Sequence, residues 1–259
     1  MIILKSLASA FLMYSRIPMP QVEWKEENRR YSLCFFPLVG AVIGAVFILW
    51  RYACTLFEID KILSGAVSMI IPVLITGGIH LDGFCDVVDA SSSFGDKRKK
   101  LEIMTDPHIG SFAVIRLCIY LILQTAIFCE MKNFHTAIII SCGFVLSRSL
   151  SGIAAMTFKC AKSNGTLQDF SNPAHKKITL ITLTVIVILS FFTMLFQDII
   201  SGGLAFFGAI LCLVYYRISA YKNFGGITGD LAGWFLQMCE ISVLIFSVTG
   251  EKIRELFLL

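Results

Sequence analysis

Runs of predominantly apolar residues, each about 17 to 25 long, recur along this chain and restrict its fold class more than any motif does. A helix needs about 20 such residues to cross a bilayer core of roughly 30 Å, and sheet strands are usually far shorter. In hydrocarbon a spanning segment must satisfy every backbone N–H and C=O internally, which a helix does and an open strand does not. The runs fall at roughly 31–50, 62–79, 111–129, 134–156, 178–197, 201–221 and 231–249. They predict an all-α, polytopic integral membrane helical bundle of about seven transmembrane helices. The apolar first 14 residues, closed by Ser15-Arg16-Ile17-Pro18, read as a short N-terminal interfacial or re-entrant helix, because no small-residue cleavage site follows them. Only 15% of residues are charged and the mean hydropathy is +0.78. Soluble domains carry roughly 25% charged residues, so a soluble cytosolic enzyme is excluded. No repeat or linker divides the chain, and residues 1–259 are taken as one membrane domain.

The charges orient the bundle. With the N-terminus in the cytoplasm, fifteen of the 22 Lys and Arg residues, counting Arg217 at the inner end of its span, fall on the inside and five in the outside segments, the asymmetry of the positive-inside rule. The long polar segments 80–110, 157–177 and 222–230 then share the cytoplasmic face. A net charge of +4 distributed in this way sets topology, and no nucleic-acid partner is expected. The nine cysteines lie mostly in apolar runs and never as CxxC, so they read as small buried side chains and not as disulfides or zinc ligands.

The segment Gly77-Gly78-Ile79-His80-Leu81-Asp82-Gly83-Phe84-Cys85-Asp86-Val87-Val88-Asp89 is the richest in chemistry. On a helix, Asp82, Asp86 and Asp89 lie within an arc of roughly 60°, and Leu81, Cys85 and Val88 form an adjoining apolar stripe. Two carboxylates about 6 Å apart repel by roughly 3 kcal/mol at an effective dielectric near 20. A hard divalent cation with oxygen ligands relieves that repulsion; a solvated acidic helix face is the alternative. His80, with an ordinary pKa near neutrality, is a candidate ligand or general base, or a merely structural histidine. Downstream, Lys97-Arg98-Lys99-Lys100 suits an anionic substrate, anionic lipid or topology alone. Arg116, one turn inside a span, is the stronger candidate for a phosphate contact, since charges within the membrane are costly. In Phe224-Gly225-Gly226-Ile227-Thr228-Gly229-Asp230 the glycines permit close backbone approach at a helix N-terminus, where amides attract phosphate, and Asp230 offers a second contact to a metal; a plain turn is the alternative.

Four segments together carry a resemblance. Residues 76–89 resemble the HLDG-x-x-D-x-x-D signature of the cobalamin synthase family, the adenosylcobinamide-GDP ribazoletransferases. Glu102-Ile103-Met104-Thr105-Asp106 with Ile109-Gly110 is similar to that family's EIM-x-D-x-x-IG segment, Gly225-Gly226-Ile227-Thr228-Gly229-Asp230 to its GG-x-TGD segment, and Ser15-Arg16-Ile17-Pro18 to its N-terminal motif. The chain departs from the pattern at Ala90, where the family usually has Gly, and at Pro107-His108, where it usually has Ser-Arg. The resemblance implies a transferase of the bacterial plasma membrane that joins adenosylcobinamide-GDP to α-ribazole, or its 5′-phosphate, and releases GMP. It implies Mg²⁺ on Asp82, Asp86, Asp89 and Asp230; His80, Asp82 and Asp230 as catalytic residues; and Arg16, Arg116, Gly226 and Thr228 as substrate contacts. No cofactor beyond the metal is expected. Its partners are the two substrates and the bilayer, with room for self-association or contact with other cobalamin-assembly enzymes. Two rival classes are weighed. A CDP-alcohol phosphotransferase fails on its motif, because Asp86-x-x-Asp89 is followed by Ala90-Ser91-Ser92. A transporter for a cation or corrinoid would place its acids at midplane, and here Asp82, Asp86, Asp89 and Asp230 sit at the ends of spans.

Overall fold

A computed structural model describes residues 2–162 and 165–257. The described residues are nearly all helical: α1 (Ile2–Tyr14), α2 (Glu26–Arg29), α3 (Ser32–Leu56), α4 (Lys61–Thr76), α5 (Ile79–Ser92), α6 (Lys97–Ile103), α7 (Ser111–Glu130), α8 (Phe134–Thr157), α9 (Thr166–Ser171), α10 (Lys176–Gln197), α11 (Ile199–Asn223) and α12 (Gly229–Phe257). Six of them, α3, α7, α8, α10, α11 and α12, are long and apolar enough to cross a membrane, and α4 with α5 raises the number to seven if that bent pair counts as one span. α8 and α12 form the mostly buried centre, whereas α7 and α10 turn Ile115, Ile119, Ile122, Ile181, Val185 and Phe192 outward. Side chains of that kind on an outer helix face suit lipid.

The second span needs correction. In place of residues 62–79, the helix covers Lys61–Thr76 and stops at Gly77 and Gly78, with φ of 68° and 80°. Two consecutive left-handed residues are tolerable only because neither has a Cβ. The axis turns there by 96°, so α5 leaves the line of α4 nearly at right angles. The polar stretch after the span is thus a helix to Ser92. The short N-terminal helix is present as α1, packed on α3.

One end of the bundle is laced together. Arg51 donates to Ser64 Oγ at 2.5 Å and to the Met131 carbonyl at 3.2 Å. Glu251 Oε1 accepts from the Lys132 and Asn133 backbone N–H groups, each at 2.9 Å, which satisfies donors at the start of α8. Arg254 pairs with Asp198 at 3.1 Å, and Lys252 pairs with Glu130. The opposite end carries the longer segments 15–31, 77–110, 158–175 and 224–228. Between the two ends Arg148 of α8 bonds Glu240 of α12 at 2.5 Å, with side chains 0% and 2% exposed.

Candidate functional site

The site is built where α5 crosses the start of α12. A methyl group at Gly83 would lie 2.8 Å from the Asp230 carbonyl oxygen, so the missing side chain is what lets the two backbones meet. The contact brings Asp82 and Asp230, 148 residues apart in the chain, to the wall of one cavity of about 250 Å³, together with His80. The carboxyl of Asp86, one turn beyond Asp82, is pushed up from 3.8 to about 6, first by burial and then by the charges of Asp82, Asp230 and Asp89. Ionising one carboxylate beside others out of bulk water is costly, and the local field calls for a cation. Among the described residues, however, no three His, Cys, Asp or Glu side chains stand close enough to form a ready-made metal cluster.

Asp89 explains part of that. It lies on the expected face of α5, yet its Oδ2 accepts from the Gly110 N–H at 2.5 Å and its Oδ1 from the Ala113 N–H at 2.9 Å. Its carboxylate thereby caps α7 from a distant helix, satisfying two N–H groups that the helix cannot pair internally. The spacing that puts Asp89 beside Asp86 carries no sign of this partner, which lies over twenty residues further along the chain.

Arg16 lies against the turn between α4 and α5. Its backbone N–H donates to the Ile75 carbonyl at 2.8 Å, and its side chain crosses Gly77 so closely that a methyl there would meet Nε at 2.4 Å. Arg16, Gly77, Gly78, Asp82 and Cys85 line a second cavity of about 590 Å³, with Asp82 shared between the two. Arg116, by contrast, is exposed on α7 and lines none of the cavities that hold Asp82 and Asp230. The structure does not bring it to the carboxylates.

The glycine-rich loop has a structural role as well. Ile227 pairs with the segment after α8, its N–H donating to Lys159 and its carbonyl accepting from Ala161, at 2.8 and 2.9 Å. A methyl on Gly226 would meet the Lys159 carbonyl oxygen at 2.5 Å. Thr228 Oγ1 accepts from the Leu231 N–H at 3.2 Å and caps α12, which fixes Asp230 in its first turn. Asp230 and Thr228 also line a third cavity of about 400 Å³ with Lys162 and Gln168. Lys162, one of the basic residues of the polar segment 157–177, has no motif around it. The aromatic residues Tyr14 and Phe36, on the wall of the first cavity, stand in apolar runs that give them no signature at all.

The family model described as cobalamin-5-phosphate synthase matches residues 6–248. A Lachnoclostridium phytofermentans protein named adenosylcobinamide-GDP ribazoletransferase is 44% identical over 250 residues, which is 96% of this chain and 95% of that protein. Proteins of the same name from Clostridium botulinum (strain Alaska E43 / Type E3) and Acinetobacter baumannii (strain ATCC 17978) are 34% and 29% identical, over 92% and 93% of this chain and 94% of each of theirs. No solved structure matches the chain.

Proposed function

Because the chain belongs to the cobalamin-5-phosphate synthase family, we propose that the cavities around Asp82, Asp86 and Asp230 are where adenosylcobinamide-GDP and α-ribazole, or its 5′-phosphate, are joined. The enzyme is a transferase of cobalamin synthesis, and the products are adenosylcobalamin, or its phosphate, and GMP. A ribose hydroxyl oxygen of the acceptor forms the new bond to the phosphorus that bears the cobinamide, and the bridging bond from that phosphorus to GMP breaks. The hydroxyl proton passes to a base, for which Asp230 is placed between the first and third cavities. Arg16 and Lys162, on either side of the carboxylates, contact the phosphates. Thr228 and Gly226 fix the loop that presents Asp230.

The all-oxygen donor set fits Mg²⁺, which takes one or two carboxylates and completes its shell with substrate phosphates and water. Asp82, Asp86 and Asp230 would hold it. When bound it supplies charge neutralisation on the transferred phosphoryl group and the leaving GMP. The observation that carries the reading is the meeting of Asp82 and Asp230 across the Gly83 contact, with a cation on each flank. The positive-inside asymmetry supports a cytoplasmic position for this face. A transporter is less well supported, since Glu240, deep in the bundle, is bonded to Arg148.

The test is GMP formation from adenosylcobinamide-GDP and α-ribazole by purified protein in liposomes, with and without a chelator. Turnover that stops in chelator and returns with Mg²⁺ is expected. Full turnover in excess chelator would remove the metal from the reading, and no GMP at all would remove the reaction.

A further inference from the structure

The first cavity is unlike its neighbours. Its walls include Tyr14 and Phe36, whose ring centroids are 4.1 Å apart, and His80 lies 6.5 and 6.1 Å from them. Leu33, Ala155 and Leu236 add apolar surface to its wall, and Ser151, Asp82 and Asp230 add polar groups. Its volume of about 250 Å³ is below the roughly 300–1,000 Å³ of sites that enclose a whole drug-sized ligand. It therefore admits a flat bicyclic ring and excludes a nucleotide or a corrinoid. His80 is only 4% exposed, and its imidazole makes no hydrogen bond within the described residues, with Nε2 enclosed and unpartnered. A buried polar group is normally satisfied, so an orphaned imidazole on a cavity wall marks a place for a ligand atom.

We propose that this cavity seats the heteroaromatic base of the acceptor nucleoside, with the imidazole of His80 donating to the base's free ring nitrogen and Tyr14 and Phe36 walling it. The assignment rests on the transfer reaction above and adds the place and chemistry of one substrate. The guanine of the donor and the benzimidazole of the acceptor differ in what they require. Guanine has several donors and acceptors on its edges, and those turned toward Leu33, Phe36, Ala155 and Leu236 would be buried without partners, which is costly. A benzimidazole nucleoside has a single free ring nitrogen, an acceptor, and the cavity has a single orphaned imidazole to meet it. The ribose then emerges beside Asp82 and Asp230, where its hydroxyl must react. His80 is on this account a binding residue for the acceptor.

The experiment compares, in the GMP-release assay, α-ribazole with an analogue whose free ring nitrogen is replaced by CH, which leaves the reacting hydroxyl intact. The wild type is expected to prefer α-ribazole by about tenfold or more in kcat/KM, the size of one hydrogen bond, and His80→Leu to bring the ratio near one whatever its absolute rate. Ala155→Leu, which narrows the cavity, is expected to raise KM for α-ribazole at least tenfold with KM for adenosylcobinamide-GDP unchanged. A wild-type ratio near one, or a KM increase confined to adenosylcobinamide-GDP, overturns the seat while leaving the reaction standing. The wild-type ratio serves even if a variant does not fold. A wild type that releases no GMP overturns the reaction and the seat with it.

Discussion

Asp82 and Asp89 share a face of α5 but have different partners, and substitution separates them. Asp82→Asn and Asp230→Asn should each lower kcat by about 10²-fold or more, the usual cost of losing a charge contact in the transition state, with a melting temperature no lower than that of the wild type, since each removes a charge that repels Asp86. Asp89→Ala should lower the melting temperature by the loss of a cap, about 1 kcal/mol, and Asp89→Ser should restore part of it; differential scanning fluorimetry in detergent reads both. The shared face was legible because helical periodicity is local. The capping of Gly110 and Ala113 was not, because a cap supplied by another helix leaves no pattern at either end. Asp86 carries a pH dependence whose sign follows from its raised pKa. In the unfolded chain it titrates near 3.8 and in the fold near 6, so between those values the folded protein holds more protons and loses stability as pH rises. At pH 7 the loss is complete. Metal-free Asp86→Asn should therefore melt above metal-free wild type at pH 7, the difference should shrink as pH falls from about 6 to 4, and the variant should be inactive.

At the scale of elements, α8 and α12 are joined by Arg148 and Glu240 in surroundings that exclude water. Removing one partner strands the other, so Arg148→Met should cost about 3–5 kcal/mol and Arg148→Met with Glu240→Leu should recover most of it. Unfolding of the two variants by denaturant in mixed micelles measures the difference; equal stabilities would show that the charges are not coupled. The element boundaries show what hydropathy measures. The apolar run of α12 fades near 249, yet the helix continues to Phe257, because Glu251, Lys252 and Arg254 find partners on neighbouring helices. Hydropathy reports contact with lipid, and charged residues that lace one end of the bundle are invisible to it. The second span errs in the other direction. Ile79 extends the apolar run past the glycines, whereas the backbone has already turned at Gly77 and Gly78.

For the molecule as a whole, the connections at 57–60, at 131–133 and around Asp198 gather at one end with the last turn of α12, and the carboxylate site lies at the other. Short tags near residues 95 and 168 should be reached by impermeant reagents only from the cytoplasm, and tags near 58, near 132 and after the C-terminus only from outside. A C-terminal tag on the same side as residue 95 would contradict the observed course of α12. The helical, membrane-spanning class and the approximate number of long helices were legible in the spacing of apolar residues. The three cavities were not, since they are spaces between helices far apart in the chain, with no local trace of one another. The contact of Gly83 with Asp230, and that of Gly226 with Lys159, then has a consequence for heredity. The alignment of the acids depends on two positions that contribute no functional group, where a single added carbon should separate α5 from α12 or the loop from its neighbour. In a saturation library selected for cobalamin-dependent growth, Gly83 and Gly226 should be as depleted of substitutions, alanine included, as Asp82 and Asp230. The chemistry of this membrane enzyme is thus exposed to mutation at more sites than its reactive atoms occupy.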